Sequence, residues 1–203
     1  MIRNRGWFVA VVALLLSLSG CFVISVNPLF RDQDLTFEPA LVGTWTTPCS
    51  EASEKAKACQ LAFASSDQKT YSVEYTDEKG VTVKFDGYLG RLGKNLYLDV
   101  APQSSELKGM SEAAEDHALL AHSFWKISLK KDELTLASLR SNQALKQALR
   151  KAGVPAGMKR AASKWESDYN LLLGSPQQLQ RFLAGYGANP EAWDSEPAVW
   201  RRQ

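Results

Sequence analysis

The sequence predicts a mainly β domain, an antiparallel meander curled into a barrel or half-barrel, with two C-terminal helices. Three observations lead there. Apolar and polar residues alternate through the middle of the chain, short polar turns rich in glycine separate the alternating runs, and only two late segments change to the helical period. Of the 203 residues, 45% are hydrophobic and 23% charged, a balance that suits one domain with a substantial core rather than a disordered chain.

Residues 1–20 stand apart from that domain. Arg3 and Arg5 precede the apolar run Trp7 to Leu18, and Ser19-Gly20 places small residues before Cys21. These are the three parts of a secretory signal. The run falls short of the roughly 20 residues a helix needs to cross a bilayer. Leu18-Ser19-Gly20-Cys21 resembles, position by position, the signal of bacterial lipoproteins, in which the cysteine becomes the new N-terminus and is acylated. That resemblance implies lipidation of Cys21 and attachment to a membrane of the bacterial cell envelope through acyl chains. Several chains hold a domain on a bilayer where one does so only marginally, each buried methylene contributing about 0.8 kcal/mol. Phe22 stands where the simplest inner-membrane retention rule has Asp, so the expected location is the outer membrane facing the periplasm, with the inner membrane as the alternative.

Removal of Arg3 and Arg5 with the signal takes the formal charge from +2 to zero. A nucleic-acid partner would need a clustered basic footprint; Lys126, Lys130 and Lys131 are interrupted by Asp132 and Glu133, and export argues against nucleic acid as well. Cys49 and Cys59 remain as an exported pair flanking the charged, Ala-rich stretch between them. They are the candidate disulfide, whose short loop gives a chain-entropy contribution on the order of 3 kcal/mol.

Residues 21–40 read as the lipidated N-terminus and a linker, with turns at Pro28 and Pro39. The domain, residues 41–187, opens with LVGTWTT, a strand carrying Gly43 and Trp45. TYSVEYT then sets Tyr71, Val73 and Tyr75 on one face, and VTVKFDGYL sets Val81, Val83 and Phe85, with Asp77 to Gly80 as the hairpin turn between them. KNLYLDV adds Leu96, Leu98 and Val100. SFWKISL adds Trp125, Ile127 and Leu129, and ELTLASL returns with Leu134 and Leu136 after a polar turn. Antiparallel strands with one wet face account for the alternation, and a meander of six to eight strands hides its edges by curling.

Two helices follow. NQALKQALRKA carries Ala144, Leu145, Ala148 and Leu149 as a stripe, with Ser141 as candidate N-cap. SPQQLQRFLAGYG has a capping box in Ser175 and Gln178, with Pro176 at the first helical position. DYNLLLG between them reads as a final strand. Residues 188–203 show no periodicity and read as an irregular tail.

Gly43-Thr44-Trp45 resembles the Gly-x-Trp that opens the first barrel strand of lipocalins and the wider lipocalin-like group, whose tryptophan closes the bottom of the barrel. The resemblance implies a lipocalin-like barrel that binds a small apolar or amphipathic molecule. No late basic residue stands out to pack on that tryptophan. The overall layout is similar to that of small bacterial lipoproteins.

Groups that could carry chemistry are few. His117 and His122 are the only histidines. Their spacing of five puts them on neither one helical face nor one strand face, so they read as solvated or turn residues rather than metal ligands. Asp86 and Asp99 read as solvent-facing strand residues. No Gly-x-Ser-x-Gly elbow, phosphate loop or cofactor motif occurs. The expectation is therefore a non-catalytic envelope lipoprotein binding a small ligand. The alternatives are a protein-interaction component of the envelope, docking through Trp165, Tyr169, Trp193 and Trp200, and a hydrolase using the His117 region.

Overall fold

The structure, a computed structural model, describes residues 22–49, 58–108, 120–160 and 168–203. Seven strands follow one another as antiparallel neighbours: β2 (Gly43–Pro48), β3 (Ala58–Ala64), β4 (Tyr71–Thr76), β5 (Thr82–Leu92), β6 (Asn95–Pro102), β7 (Ser123–Lys130) and β8 (Glu133–Ser138). An eighth, β11 (Ala198–Arg202), pairs antiparallel with both β8 and β2 and closes the barrel. The chain is thus a mainly β, closed, eight-stranded lipocalin-like barrel with two C-terminal helices. The tail expected to be irregular supplies the closing strand, with Trp200 inside among the barrel core residues. Its period-two pattern is short and sits between prolines and charges, which hides it in the sequence.

Strand β3 is likewise not announced by alternation in the sequence. Cys59, Leu61 and Phe63 point into the core, but the intervening Ala58, Ala62 and Ala64 blur the apolar-polar contrast on which alternation is recognised.

Residues 22–40 are not a free linker. The strand β1 (Phe22–Ser25) pairs parallel with β10 (Asp168–Leu172), which pairs antiparallel with β9 (Ala156–Arg160) in a separate three-stranded sheet. The chain then runs along the outer wall of the barrel. Leu29 and Phe30 are buried, Thr36 N–H donates to the Leu89 carbonyl at 2.8 Å, and Leu35 bridges to Gly90. The ring of Phe30 lies on Gly90 so closely that an added Cβ would come within 2.4 Å of it. The prolines and polar spacing of this segment mask its apolar residues Leu29, Phe30 and Leu35 in the sequence.

The helices are α1 (Gln143–Lys151) and α2 (Pro176–Tyr186). The N-cap of α1 is Asn142, one residue beyond the expected Ser141, its Oδ1 accepting from Leu145 N–H at 2.8 Å. The capping box of α2 forms as read, Ser175 and Gln178 exchanging side-chain to backbone bonds. Both helices bury their apolar stripes in a second core with Tyr97, Phe124, Leu139, Leu172 and Trp193. That core lies outside the barrel, on the opposite face of the strands whose alternate residues Leu98, Ile127 and Leu136 fill the barrel interior.

One end of the barrel is sealed. Trp45 is fully buried, and its indole N–H donates to the Leu41 carbonyl at 2.9 Å. Leu41 itself, at the end of a short 3-10 turn Pro39–Leu41, is fully buried beneath the strands. The guanidinium of Arg202 lies over the Trp45 ring, 4.3 Å from its centroid. It donates to the carbonyls of Val42, at 3.0 Å, and Ala40. Arg202 is therefore the late basic residue that packs on the tryptophan. Gly43 has φ of +132°, a backbone conformation that favours glycine, and a Cβ there would sit 2.7 Å from Arg202 Nη1 and displace the guanidinium.

Truncation of Trp45 to alanine removes transfer energy and leaves a cavity at the seal, a loss of about 3 to 5 kcal/mol. Equilibrium denaturation of Trp45→Ala against wild type measures it; a loss below about 1 kcal/mol would mean the barrel does not depend on this closure.

Candidate functional site

The end of the barrel opposite the Gly-x-Trp seal is built differently. Strand β2 ends there and β3 begins there, and Cys49 and Cys59 are bridged across the connection, with Cα atoms 5.0 Å apart. Cys59 Sγ lies 3.3 Å from the Tyr75 hydroxyl. Towards this end the inward residues Tyr75, Phe85, Val100 and Trp125 are only partly buried, whereas Trp45, Phe63, Tyr71, Leu89 and Leu134 deeper in the barrel are buried. Inward residues at the disulfide end are thus partly accessible, while the barrel around Trp45, Phe63, Tyr71 and Leu89 is filled.

Trp200 lies in this interior, 6% exposed, edge-on to Tyr75 with ring centroids 6.5 Å apart. Its indole N–H is buried and finds no acceptor among the described residues. An unpaired buried donor costs about 1 to 3 kcal/mol, and most such groups in folded proteins have a partner. A polar acceptor brought into the barrel would relieve it.

The outer wall holds a second polar arrangement. The carboxylate of Asp99 on β6 is fully buried. One oxygen accepts from Leu29 N–H at 2.8 Å, and the other lies 2.8 Å from His122 Nδ1. Ser25 and His122 exchange backbone hydrogen bonds at 2.8 Å each. Burial pushes the Asp99 carboxyl above its ordinary range, opposed by the contact with His122 and the bond from Leu29. Asp99 is therefore not the solvent-facing strand residue the alternation suggested, nor is His122 a solvated turn residue. Both pin the N-terminal segment to the barrel. An Asp–His pair is also the orienting half of a hydrolytic triad, but among the described residues no hydroxyl or thiol bonds to His122. Asp86 is used separately, accepting from Gln103 Nε2 at 2.9 Å.

Among the described residues no group of three or more His, Cys, Asp or Glu could hold a metal, and no helix is long and apolar enough to cross a membrane. Cys21, His117 and Trp165 lie outside the described residues. Of the aromatic residues offered for partner docking, Trp193 and Trp200 are committed to the two cores, and Trp193 donates to the Gly187 carbonyl at 2.9 Å.

Back at the Gly-x-Trp end, a cleft of about 540 Å³ is lined by Leu96, Ile127 and Leu129 at the margin of the barrel core and by a polar rim that includes Arg91, Lys94, Lys126, Lys130 and Lys131. The sequence showed only the lysines of one hairpin. The pairing of β6 with β7 brings the other hairpin beside it.

No family model, no curated protein and no solved structure matches the chain. The lipocalin-like description accordingly rests on the closed barrel and its seal.

Replacement of Asp99 by alanine leaves the Leu29 N–H and the His122 ring without their acceptor, and should cost about 3 kcal/mol in a denaturation experiment. The pH dependence has a definite sign. With its folded value raised, the carboxyl contributes stability that is full below the ordinary 3.8 and is lost as the pH rises through the folded value. The stability difference between wild type and Asp99→Asn should therefore shift against wild type over that interval; a difference flat with pH would contradict the burial argument.

Proposed function

We propose that the chain is a non-catalytic lipoprotein of the bacterial envelope, anchored through acyl chains on Cys21, whose barrel binds a small apolar or amphipathic molecule. The molecule enters at the disulfide end and places an acceptor against Trp200. The observation that carries this reading is the buried indole N–H of Trp200, which has no acceptor among the described residues, set beside inward aromatic residues that are only partly covered. A mostly apolar site with one fixed polar group is the usual composition of a small-molecule pocket. The order Arg3, Arg5, the apolar run and Leu18-Ser19-Gly20-Cys21 supports the anchor, and Phe22 in place of Asp supports the outer membrane, facing the periplasm, over the inner membrane.

Native mass spectrometry of the protein released gently from its own membrane should find a retained small molecule. Trp200→Phe, which keeps the apolar bulk and removes the donor, should weaken retention by about tenfold, the equivalent of one hydrogen bond of about 1.4 kcal/mol. Wild-type protein that carries no ligand and takes up no apolar fluorescent probe would end the binding reading.

The anchor is tested separately. The N-terminal peptide should begin at Cys21 with added acyl mass, and Cys21→Ser should abolish that mass and release the protein from sedimented membranes. A wild-type N-terminal peptide without acyl mass would sink the lipoprotein assignment and leave the barrel site untouched.

A further inference from the structure

We infer that the cleft outside the sealed end of the barrel is a second binding site, for the anionic head and first methylenes of an amphiphile. It is formed by two hairpins that are unremarkable in isolation. Arg91 comes from the end of β5 and Lys94 from the turn into β6, Lys126 and Lys130 from β7 and Lys131 from the turn into β8. A lysine-bearing hairpin turn is ordinarily a solvated edge. Here the register Leu96↔Ile127 sets the two turns side by side, and five cationic side chains border one cleft of about 540 Å³.

The negative charge nearby does not balance them. Glu38 is the carboxylate in the lining, and its Oε1 is occupied as an N-cap acceptor for Ala40 N–H at 3.3 Å. Glu133 is 3.8 Å from Lys130 but is held more closely by Arg201, at 2.7 Å. Lys126 lies 5.9 Å from the centroid of the Trp193 ring. Arg91, Lys94, Lys126 and Lys131 make no ion pair with any described carboxylate. Like charges gathered at the rim of a concavity raise the local potential and draw in a counter-ion.

The floor decides what kind of anion fits. Ile127 is buried, and Leu96 and Leu129 are partly buried against the barrel core. A hydrated ion such as phosphate leaves this apolar surface uncovered. An acyl chain bearing phosphate or carboxylate covers it, with the head among the flexible lysine and arginine ends, whose stems add further apolar cover. The floor residues Leu96, Ile127 and Leu129 belong to the barrel core at its Gly-x-Trp end, away from the disulfide end, and the site does not depend on the acylation of Cys21 or on Trp200.

The test uses the full-length protein in a neutral detergent, titrated calorimetrically with octyl phosphate, inorganic phosphate and octyl glucoside. Octyl phosphate should bind with one equivalent, inorganic phosphate at least tenfold more weakly, and octyl glucoside not measurably. Lys94→Gln combined with Lys131→Gln removes two exposed charges and should weaken octyl phosphate at least tenfold with an unchanged melting temperature. Raising the salt should weaken it as well. Two further probes separate the sources: preference for dihexanoyl phosphatidylglycerol points to a membrane lipid, and preference for octyl phosphate or octanoate to a free single-chain amphiphile. Binding of octyl glucoside equal to that of octyl phosphate, or an affinity unmoved by the double substitution, overturns the inference. Neither result bears on the barrel site, whose readout is Trp200→Phe.

Discussion

The contact between Arg202 and Trp45 is the one on which the rest of the barrel depends. The closing strand β11 comes from the far end of the chain, after two helices and a three-stranded sheet, and it pairs with β2 over only two register positions, Arg201↔Thr46 and Arg202↔Trp45. So short a ladder is a weak seam for closing a sheet across a long loop. Side chains reinforce it. Thr47 donates to the Val199 carbonyl at 2.8 Å, and Arg202 covers the indole while binding the carbonyls of Ala40 and Val42. A cation over an aromatic face contributes about 0.5 to 2 kcal/mol. Through those carbonyls the same residue fixes how the chain enters its first barrel strand. Closure then removes the exposed edges that an open meander would present.

With the barrel closed, β6 becomes a wall between two cores. Leu98 faces inward, while Tyr97, Asp99 and Ala101 face outward and are buried as well. The outer core packs the helices, β10 and the segment around Leu29 and Phe30 against that wall. A charged group in such a place requires partners for its oxygens. Asp99 finds them in a backbone N–H and a histidine, both belonging to elements it holds in place. The polar pair thereby specifies where the N-terminal segment lies.

This double burial explains which features the sequence disclosed. Alternation reports faithfully on a sheet with one wet face, so β4 and the inward residues of β5 to β8 were legible. Local chemistry was legible too: the capping box of α2 needs only Ser175, Pro176 and Gln178. What could not be read locally was anything decided by a distant partner. Asp99 occupies a polar position of an alternating strand, and nothing nearby in sequence announces Leu29 or His122. Arg202 is one arginine among several until β11 is placed next to β2. The cationic cleft is similar, since Arg91 and Lys131 become neighbours only through the ladder between β6 and β7. The motif Gly43-Thr44-Trp45 was legible because its glycine and tryptophan are required for separate reasons, one of backbone and one of packing.

The two ends of the barrel consequently have opposite characters, and this polarity constrains how the molecule can work. Leu41, Trp45 and Arg202 pack together at the Gly-x-Trp end, and in the proposed reading a ligand uses the end that carries the Cys49–Cys59 bridge. Charge, by contrast, gathers outside the sealed end, where the apolar floor of the cleft is the outer margin of the same core. The packing of residues 22–40 adds a further constraint. Because β1 is already a strand of the fold at Phe22, acyl chains on Cys21 would join the domain at a hydrogen-bonded element rather than through a flexible spacer. A spacer lets a domain tumble above the bilayer; a strand limits it to a narrow range of orientations. The same segment is clasped by Asp99 and by Gln180, which donates to the Leu29 carbonyl at 3.0 Å. The barrel, the helices and the segment from Phe22 onward are therefore held by the same contacts, and under the proposed acylation of Cys21 those contacts would also set how the barrel faces the bilayer.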